Sequence, residues 1–517
     1  MGGILALRTV SEIPFHHAAA RGGKAALIAD RGEPISYAEL DARVRRFAAF
    51  LGARGRGAGE RVGILLPNLP EFVVAYFGAI AAGAVAVPVN YRLAASEVGY
   101  ILSDCSAGAV VTTTEKYGKL SGESQCGGVS DWLLVDGDAP GALSFDRAIS
   151  GEPLAAPAPC SPDDVASLLY TSGTTGFPKG AMITHANILF NVASCRATLG
   201  YREDDVGLIT LPLFHVTGLH SQLVALLACG GTVVLQREYE TRRMLELIAR
   251  HRATALFLVP AIYKLLTIRP DLHEFDLSAV RIAAYGGAPM DPETIRALNR
   301  VLPAELHNCY GLTECSSLGT VLPSALALSR AGSVGFPVPG MEAQVRSPGG
   351  EVLPADRAGE LFLRGPNIVK GYFGDPAKTQ AALGDGWLRT GDIARIDAEG
   401  LVYILDRAKD MINRGGEKVY GLEVENVLYA FPGMAEAAVF GIPHPIFGEV
   451  PAAAVVPMPG AALDPEKIRE HCRSRLADYK VPVEVRIVGQ LPRNPGGKVL
   501  KQELKGIWAK GLREERS

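Results

Sequence analysis

Over the first third of the chain, apolar positions at helical spacing alternate with short, wholly apolar runs. After Tyr37-Ala-Glu-Leu, apolar residues fall at Leu40, Val44, Phe47 and Leu51, one face of a helix. Arg61-Val-Gly-Ile-Leu-Leu reads as a buried strand ending at Pro67-Asn68. Phe72–Ala82 is apolar on every side and predicts a buried helix running into a buried strand, Val85–Val89. Ala109-Val-Val-Thr-Thr and Ala166–Tyr170 are further strands. Between them, residues 120–162 are rich in Gly, Ser and Pro and predict a loose surface excursion. Such alternation points to a mostly parallel sheet with helices on both faces.

Residues 185–345 repeat the pattern. A helix opening near Thr241 carries Met244, Leu247 and Ile248 on one face, and Val280–Ala284 reads as a strand. Asp291-Pro292 is an N-cap followed by proline at the first helical position. Residues 358–405 are richer in Gly and Asp turns, with strands at Glu360–Leu363 and Val402–Leu405, and predict a small barrel-like unit. The last part begins near Lys409. It holds a helix at Leu422–Phe431, strands at Ala437–Gly441 and Ala452–Val456, a helix from Asp464-Pro465 and a strand at Val483–Val488. The expected fold class is α/β: a large first domain of parallel-sheet subdomains plus the barrel-like unit, then a small α+β domain. The division expected is 1–405, a hinge at 406–412, and 413–517. No internal repeat is evident.

Composition narrows the function. A net charge of −3 over 517 residues argues against a polyanion-binding surface, so no nucleic-acid partner is expected. The eight cysteines are scattered without a CxxC pair, which fits a reducing cytosol better than a disulfide scaffold or zinc site. The N-terminus lacks a charged start and a long apolar core, so no signal peptide is read. Phe72–Val89 is uncharged and near the lower length limit of a membrane span. Its Ala and Gly content and Pro88 favour the helix-then-strand reading. A cytoplasmic protein without a membrane span is expected.

The most informative stretch is Tyr170-Thr-Ser-Gly-Thr-Thr-Gly-Phe-Pro-Lys-Gly180. Its glycines let backbone approach a ligand closely, consecutive N–H groups form a nest for anions, and Lys179 adds a point charge. A strand before the loop makes the whole a phosphate cradle. It is not the P-loop of NTPases: Pro178 stands where that motif needs glycine, and Gly180 follows the lysine instead of Ser or Thr. A flexible Gly- and Thr-rich surface turn is the plain alternative.

The run YTSGTTGFPKG resembles the signature of the adenylate-forming superfamily, which holds acyl-CoA synthetases, firefly luciferases and peptide-synthetase adenylation domains. Its other motifs follow in order, so the resemblance covers nearly the whole chain. It implies ATP and Mg²⁺ as cofactors and a small-molecule carboxylic acid as substrate. Thr171, Ser172, Gly173, Thr174, Thr175 and Lys179 would cradle the nucleotide phosphates, with Thr174 also catalytic. In Leu211–Gly218, His215 matches the histidine that borders the acid pocket and would be catalytic. Alone, a histidine after a strand is usually structural. In Tyr285-Gly-Gly-Ala-Pro289, the resemblance makes Gly287, Ala288 and Pro289 cover the adenine. In Asn308-Cys-Tyr-Gly-Leu-Thr-Glu314, the nucleotide would meet Asn308, Cys309, Tyr310, Gly311 and Thr313. Tyr310 offers an aromatic face, Thr313 a hydroxyl, and Glu314 a hard oxygen for Mg²⁺. Asp392, in Arg389-Thr-Gly-Asp392, would hold the ribose hydroxyls.

Asp406–Lys418 alternates charges around two glycines, and on its own reads as a solvated hairpin. The resemblance makes it the hinge. Arg407 would touch ribose or phosphate, Lys409 would be the pivot, and Gly415, Gly416 and Lys418 would turn toward coenzyme A. In Pro492–Lys498, Lys498 would contact both the carboxylate and the α-phosphate. A rotation about Lys409 would then exchange Lys498 for the thiol-facing side, which makes the small domain mobile. The acid pocket implied is His215, Val216, Thr217, Tyr285, Gly286, Cys309, Gly311, Leu318 and Gly319. It is apolar with no cation, which favours a medium-chain or aromatic monoacid over a dicarboxylate.

The expected reaction joins an acid to coenzyme A through an acyl-adenylate, releasing AMP and pyrophosphate. The competing readings are an adenylating enzyme with another acceptor (amide synthetase, luciferase-like or carrier-protein ligase) and an ATP-sensing scaffold with a dead site. The intact Lys179, Glu314, Asp392, Arg407 and Lys498 argue against the scaffold. A homodimer is compatible with the sequence, which does not fix the oligomeric state.

Overall fold

The computed structural model describes residues 7–171, 178–288, 290–408, 410–415, 417–493 and 499–514. Four sheets organise them. The seven-stranded sheet runs in the order Leu143–Ser144, Asp131–Leu134, Ala109–Thr112, Arg61–Leu65, Val85–Pro88, Val165–Thr171, Lys179–Thr184. All neighbours are parallel except the last two, which pair antiparallel. The nine-stranded sheet is parallel from Glu305–Tyr310 through Ile282–Gly286, Ala255–Leu258, Val206–Ile209 and Thr232–Leu235 to Ala25–Ala29. Short antiparallel strands close both of its edges.

One apolar core joins the two large sheets. It is filled by the helices Tyr37–Ala53, Pro70–Ala81 and His185–Leu199 and the run Thr217–Ala228. Local chemistry sets the helix ends. Ser36 accepts from Glu39 N at 3.2 Å. Thr184 and Asn187 cap each other reciprocally, and Gly200, at φ +70, ends the helix His185–Leu199. Asp291 accepts from Thr294 N at 2.9 Å ahead of Pro292. Leu40, Val44, Phe47 and Leu51 are fully buried, as their spacing predicts. Pro70–Ala81 is buried from Phe72 onward and belongs to this core, and no described helix is long and apolar enough to cross a membrane.

The unit expected over 358–405 is a four-stranded antiparallel meander that begins earlier: Glu342–Arg346, Gly359–Arg364, Leu388–Ile396, Val402–Arg407. A five-stranded sheet follows, built on the long hairpin Met434–His444 and Gly448–Pro457, with Glu484–Ile487 parallel to its second strand. Helices Gly421–Tyr429 and Pro465–Arg473 cover one face. On the other face Leu504 and Trp508 of the final helix, Lys501–Glu514, pack against Phe440. The amphipathic pattern of that helix was not read from the sequence.

Two expectations are corrected. The excursion at 120–162 contains a fully buried strand, Asp131-Trp-Leu-Leu134, within the seven-stranded sheet. Its first residue is a carboxylate, held by Arg54 and Arg56 at 3.1 Å each, which masks the strand among Gly and Ser. The strand expected at Val280 starts at Ile282, because Val280 closes a turn onto Leu277.

Candidate functional site

The strands Val165–Thr171 and Lys179–Thr184 pair with Thr171 opposite Lys179, so the glycine-rich run joins the two arms of a hairpin. Ser172, Gly173, Thr174 and Thr175 lie outside the described residues, as do Pro289, Lys409, Gly416 and Lys498. Thr171 Oγ1 is buried and meets no hydrogen-bond partner among the described residues. Lys179 Nζ donates to the hydroxyl of Tyr372, lies 3.8 Å from the centroid of its ring, and stands 3.5 Å from Glu314 Oε1. Tyr372 donates in turn to Glu314 Oε1 at 2.8 Å.

Glu314 sits in a turn of unusual backbone. Gly311 approaches so closely that an added Cβ would lie 1.6 Å from Ser317 O. Ser316 and Ser317 both have positive φ, +51° and +110°, which costs energy for residues other than glycine. A buried polar network holds them there. Ser221 Oγ donates to Ser317 Oγ at 2.7 Å, and His220 Nδ1 shares a hydrogen with Ser316 Oγ at 3.2 Å. Leu318 N donates to Asn191 Oδ1 at 3.1 Å. Burial pulls the His220 imidazole down to about 3, so it is neutral. Sequence reasoning missed this network. Its signal is the polar triplet His220-Ser-Gln222 within an apolar run.

Gly286 and Cys309 face each other at the C-terminal ends of parallel strands, where open α/β sheets bind ligands. An added Cβ on Gly286 would meet Cys309 O at 2.4 Å, and Gly287 takes φ +80. Asn308 is buried and donates from its amide to Ser333 O at 2.9 Å. Val216, Cys309 and Leu318 join one core cluster. Tyr285 does not join them. Successive residues of a strand face opposite ways, and its ring packs on the far face with Tyr263, Met290 and Ile295. Half-buried His215 has its ring centroid 4.5 Å from that of Phe214, tilted by 51°, and burial, with a smaller push from Arg92, lowers it to about 4. Gly319 N donates to Tyr310 O at 2.9 Å.

The meander brings a carboxylate to this edge. Asp392 and Arg407 are register partners on adjacent strands, and Arg407 Nε lies 2.8 Å from Asp392 Oδ1. Tyr310 donates its hydroxyl to Asp392 Oδ2 at 2.5 Å. Burial first, then the Asp392 charge, pushes the Tyr310 hydroxyl far above its ordinary range, so it stays protonated. Thus Tyr310, Asp392 and Arg407 form one cluster, and Lys179, Tyr372 and Glu314 another. Tyr310 and Glu314 are linked by the single segment 310–314. The two clusters pair an aromatic face and a diol-accepting carboxylate with a cation and a hard oxygen ligand, a set suited to a nucleotide with Mg²⁺.

Asp406, beside Arg407, ties the meander to the start of the helix Gly421–Tyr429. Buried Asp406 accepts from Arg407 N at 2.8 Å and from Gly421 N at 2.5 Å. Burial raises its carboxyl to about 6. Lys501 Nζ pairs with Glu425 at 2.8 Å. Burial draws the Lys501 ammonium down, but Glu425 and Asp406 outweigh it and raise it. Gly415 turns at φ +60 and donates to Phe447 O at 2.8 Å, while Lys418 is exposed opposite Asn413.

The chain is similar to known proteins over most of its length. The family model for AMP-binding enzymes matches residues 15–373, and that for the AMP-binding enzyme C-terminal domain matches 423–498. A feruloyl-CoA synthase of an Amycolatopsis species is 38% identical over 475 residues, 92% of this chain and 94% of that one. A long-chain-fatty-acid–CoA ligase of Mycobacterium tuberculosis is 38% identical over 480 residues, 91% and 92% of the two chains. The crystal structure of an anthranilate CoA ligase in complex with anthranoyl-AMP superposes with TM-score 0.92 at 27% identity. It covers 98% of each chain.

Proposed function

Because the chain belongs to the family of AMP-binding enzymes, we propose that it is an ATP-dependent carboxylic acid–CoA ligase working through an acyl-adenylate. The observation that carries this reading is the pair of clusters, Tyr310–Asp392–Arg407 and Lys179–Tyr372–Glu314, joined through residues 310–314. Curated relatives alike over nine-tenths of the chain are CoA ligases acting on aromatic or fatty acids, in keeping with an apolar pocket.

In this reading the acid oxygen attacks the α-phosphorus and pyrophosphate leaves. Two anions must meet, so the site has to offset their repulsion. Asp392 accepts the ribose diol beside Arg407, and the Tyr310 ring and Gly287–Pro289 bracket the purine with Asn308 and Cys309. Thr171–Thr175, Thr313 and Lys179 hold phosphate oxygens. Glu314 supplies the oxygen that would hold Mg²⁺, which when bound neutralises charge on the departing phosphates. Lys498 stabilises the charge that builds between carboxylate and α-phosphate. His215, Val216, Gly286, Gly311, Leu318 and Gly319 line the acid pocket, with Tyr285 contributing its backbone alone. The thiol of coenzyme A then attacks the acyl carbon and AMP leaves. That step uses a swing about Lys409 which presents Gly415, Gly416 and Lys418.

The division 1–405, 406–412 and 413–517, a cytoplasmic site of action and a homodimer belong to the same reading. Light scattering tests the last. The decisive experiment supplies ATP, Mg²⁺ and coenzyme A with a panel of aliphatic, benzoic and cinnamic acids, and measures AMP and thioester. Medium-chain or aromatic acids should give both. Release of ADP overturns the reaction class. Pyrophosphate release without any thioester points to another acceptor, and malonate as the best acid overturns the pocket.

A further inference from the structure

One hydroxyl joins the two halves of the phosphate-and-metal cluster. We propose that Tyr372 is a positioning residue that holds Lys179 and Glu314 as one preassembled unit for a metal-bound triphosphate. The inference rests on the nucleotide reading above.

The three residues come from distant parts of the chain. Lys179 opens the second arm of the hairpin, Glu314 lies in the turn after the strand Glu305–Tyr310, and Tyr372 lies beyond the strand Gly359–Arg364. Tyr372 makes both polar contacts through one oxygen, accepting from Lys179 Nζ and donating to Glu314 Oε1 at 2.8 Å. Its ring also stands 3.8 Å from the ammonium, an additional attraction between a cation and a ring face. The direct distance from Lys179 Nζ to Glu314 is 3.5 Å. The hydroxyl therefore sits within hydrogen-bond reach of both opposite charges and bridges an ion pair whose direct distance, 3.5 Å, is longer than hydrogen-bond contact between charged groups. Without it, Lys179 can close onto Glu314 as a tight ion pair. Phosphate and metal would then first have to pull that pair open.

The backbone around Tyr372 is fixed accordingly. Met182 N donates to Gly371 O at 2.9 Å and Phe373 N to Gly180 O at 2.8 Å, which lays Lys370–Phe373 along the hairpin strand with Tyr372 opposite Ala181. Tyr372 N donates to Thr379 Oγ1 at 2.9 Å. Gly371, at φ +144, leaves no room for a side chain, since its Cβ would meet Thr379 Cγ2 at 2.6 Å. Glu314 is tied to the same segment, its carbonyl accepting from Val369 N at 3.0 Å. Tyr372 is buried, so its hydroxyl finds its partners within the protein.

Tyr372→Phe keeps the ring and removes the hydroxyl, so packing is retained. Calorimetric titration of the full-length wild type and variant with ATP, across a Mg²⁺ series, reads the effect directly. The variant should bind MgATP about tenfold more weakly and need correspondingly more Mg²⁺, as expected for one hydrogen bond to a charged group. Its melting temperature and its KM for the acid should match the wild type. In a cycle with Lys179→Met the two losses should not add. Equal MgATP affinity and Mg²⁺ dependence in wild type and Tyr372→Phe overturns the proposal. So does strict additivity with Lys179→Met. A wild type that binds MgATP and shows the Tyr372→Phe loss, yet activates no acid, leaves Tyr372 in this role and refutes only the ligase reading.

Discussion

Substituting Asp392 by Asn changes one atom and separates two roles. The carboxylate is buried, with Tyr310 on one oxygen at 2.5 Å and Arg407 on the other at 2.8 Å. Both partners donate to it, but the Tyr310 hydroxyl can also accept. An amide that keeps its oxygen on Arg407 turns its NH₂ toward Tyr310, whose hydroxyl rotates to accept, so both contacts persist and what is lost is the charge facing Arg407. Weakening a charged hydrogen bond in this way costs about 1–3 kcal/mol. Arg407 has a side chain 41% exposed and can take water instead, so the low end applies to stability, about 1 kcal/mol. The effect on the nucleotide is larger. A carboxylate can accept about four bonds and so can serve Tyr310, Arg407 and a ribose diol at once, whereas the amide cannot. Losing one charged hydrogen bond to the diol costs about 2 kcal/mol, or about thirtyfold in affinity. Steady-state pyrophosphate release at saturating acid and varied ATP should therefore show KM for ATP up about thirtyfold, with a small drop in melting temperature. A variant that melts earlier but keeps a wild-type KM for ATP would show Asp392 to be a strut for Tyr310 and Arg407 and nothing more.

Gly311→Ala places a Cβ 1.6 Å from Ser317 O, so the turn carrying Glu314 must move. We expect about 1–3 kcal/mol lost in calorimetry and weaker MgATP binding, and unchanged values for both would contradict the close approach. His185 accepts at Nδ1 from Val10 N at 3.1 Å, and burial lowers its pKa from 6.5 to about 4. A proton there favours the unfolded chain, so stability falls as pH drops from 6.5 toward 4. The loss at pH 5 is about 2 kcal/mol from this residue, and His185→Gln should remove that part of the pH dependence in calorimetry at pH 7 and 5. Lys498→Ala should cut acid-dependent pyrophosphate exchange about 10²–10³-fold, as removal of one preorganised donor does, and wild-type exchange would end its assignment.

Contiguous motifs carried most of what the sequence could say. Asn308–Glu314 and Arg389–Asp392 each place several donors and acceptors within one turn, so composition and order suffice to suspect a site there. Tyr372 was not legible, because its role depends on the crossing of segments more than fifty residues apart. The contacts of Ser221 with Asn191 and Ser317, and of His220 with Ser316, are hidden for the same reason, though Asn191, His220 and Ser221 interrupt apolar helical runs. Tyr285 shows a different limit. The resemblance assigned a whole loop to the pocket, but strand alternation sends neighbouring side chains to opposite faces, so Tyr285 and Gly286 serve different sides. The strand Asp131–Leu134 failed on length, since four residues with a leading charge give no usable period.

The strip Lys370–Phe373 has a second consequence. Lys179–Thr184 is the outermost strand of the seven-stranded sheet, and a bare outer strand presents unpaired N–H and C=O groups that recruit other chains. Met182 and Gly180 spend theirs on Lys370, Gly371 and Phe373 instead. The segment that carries Tyr372 is thereby also a seal against self-association. Cleavage within it should first appear as concentration-dependent clumping of protein whose secondary structure is intact.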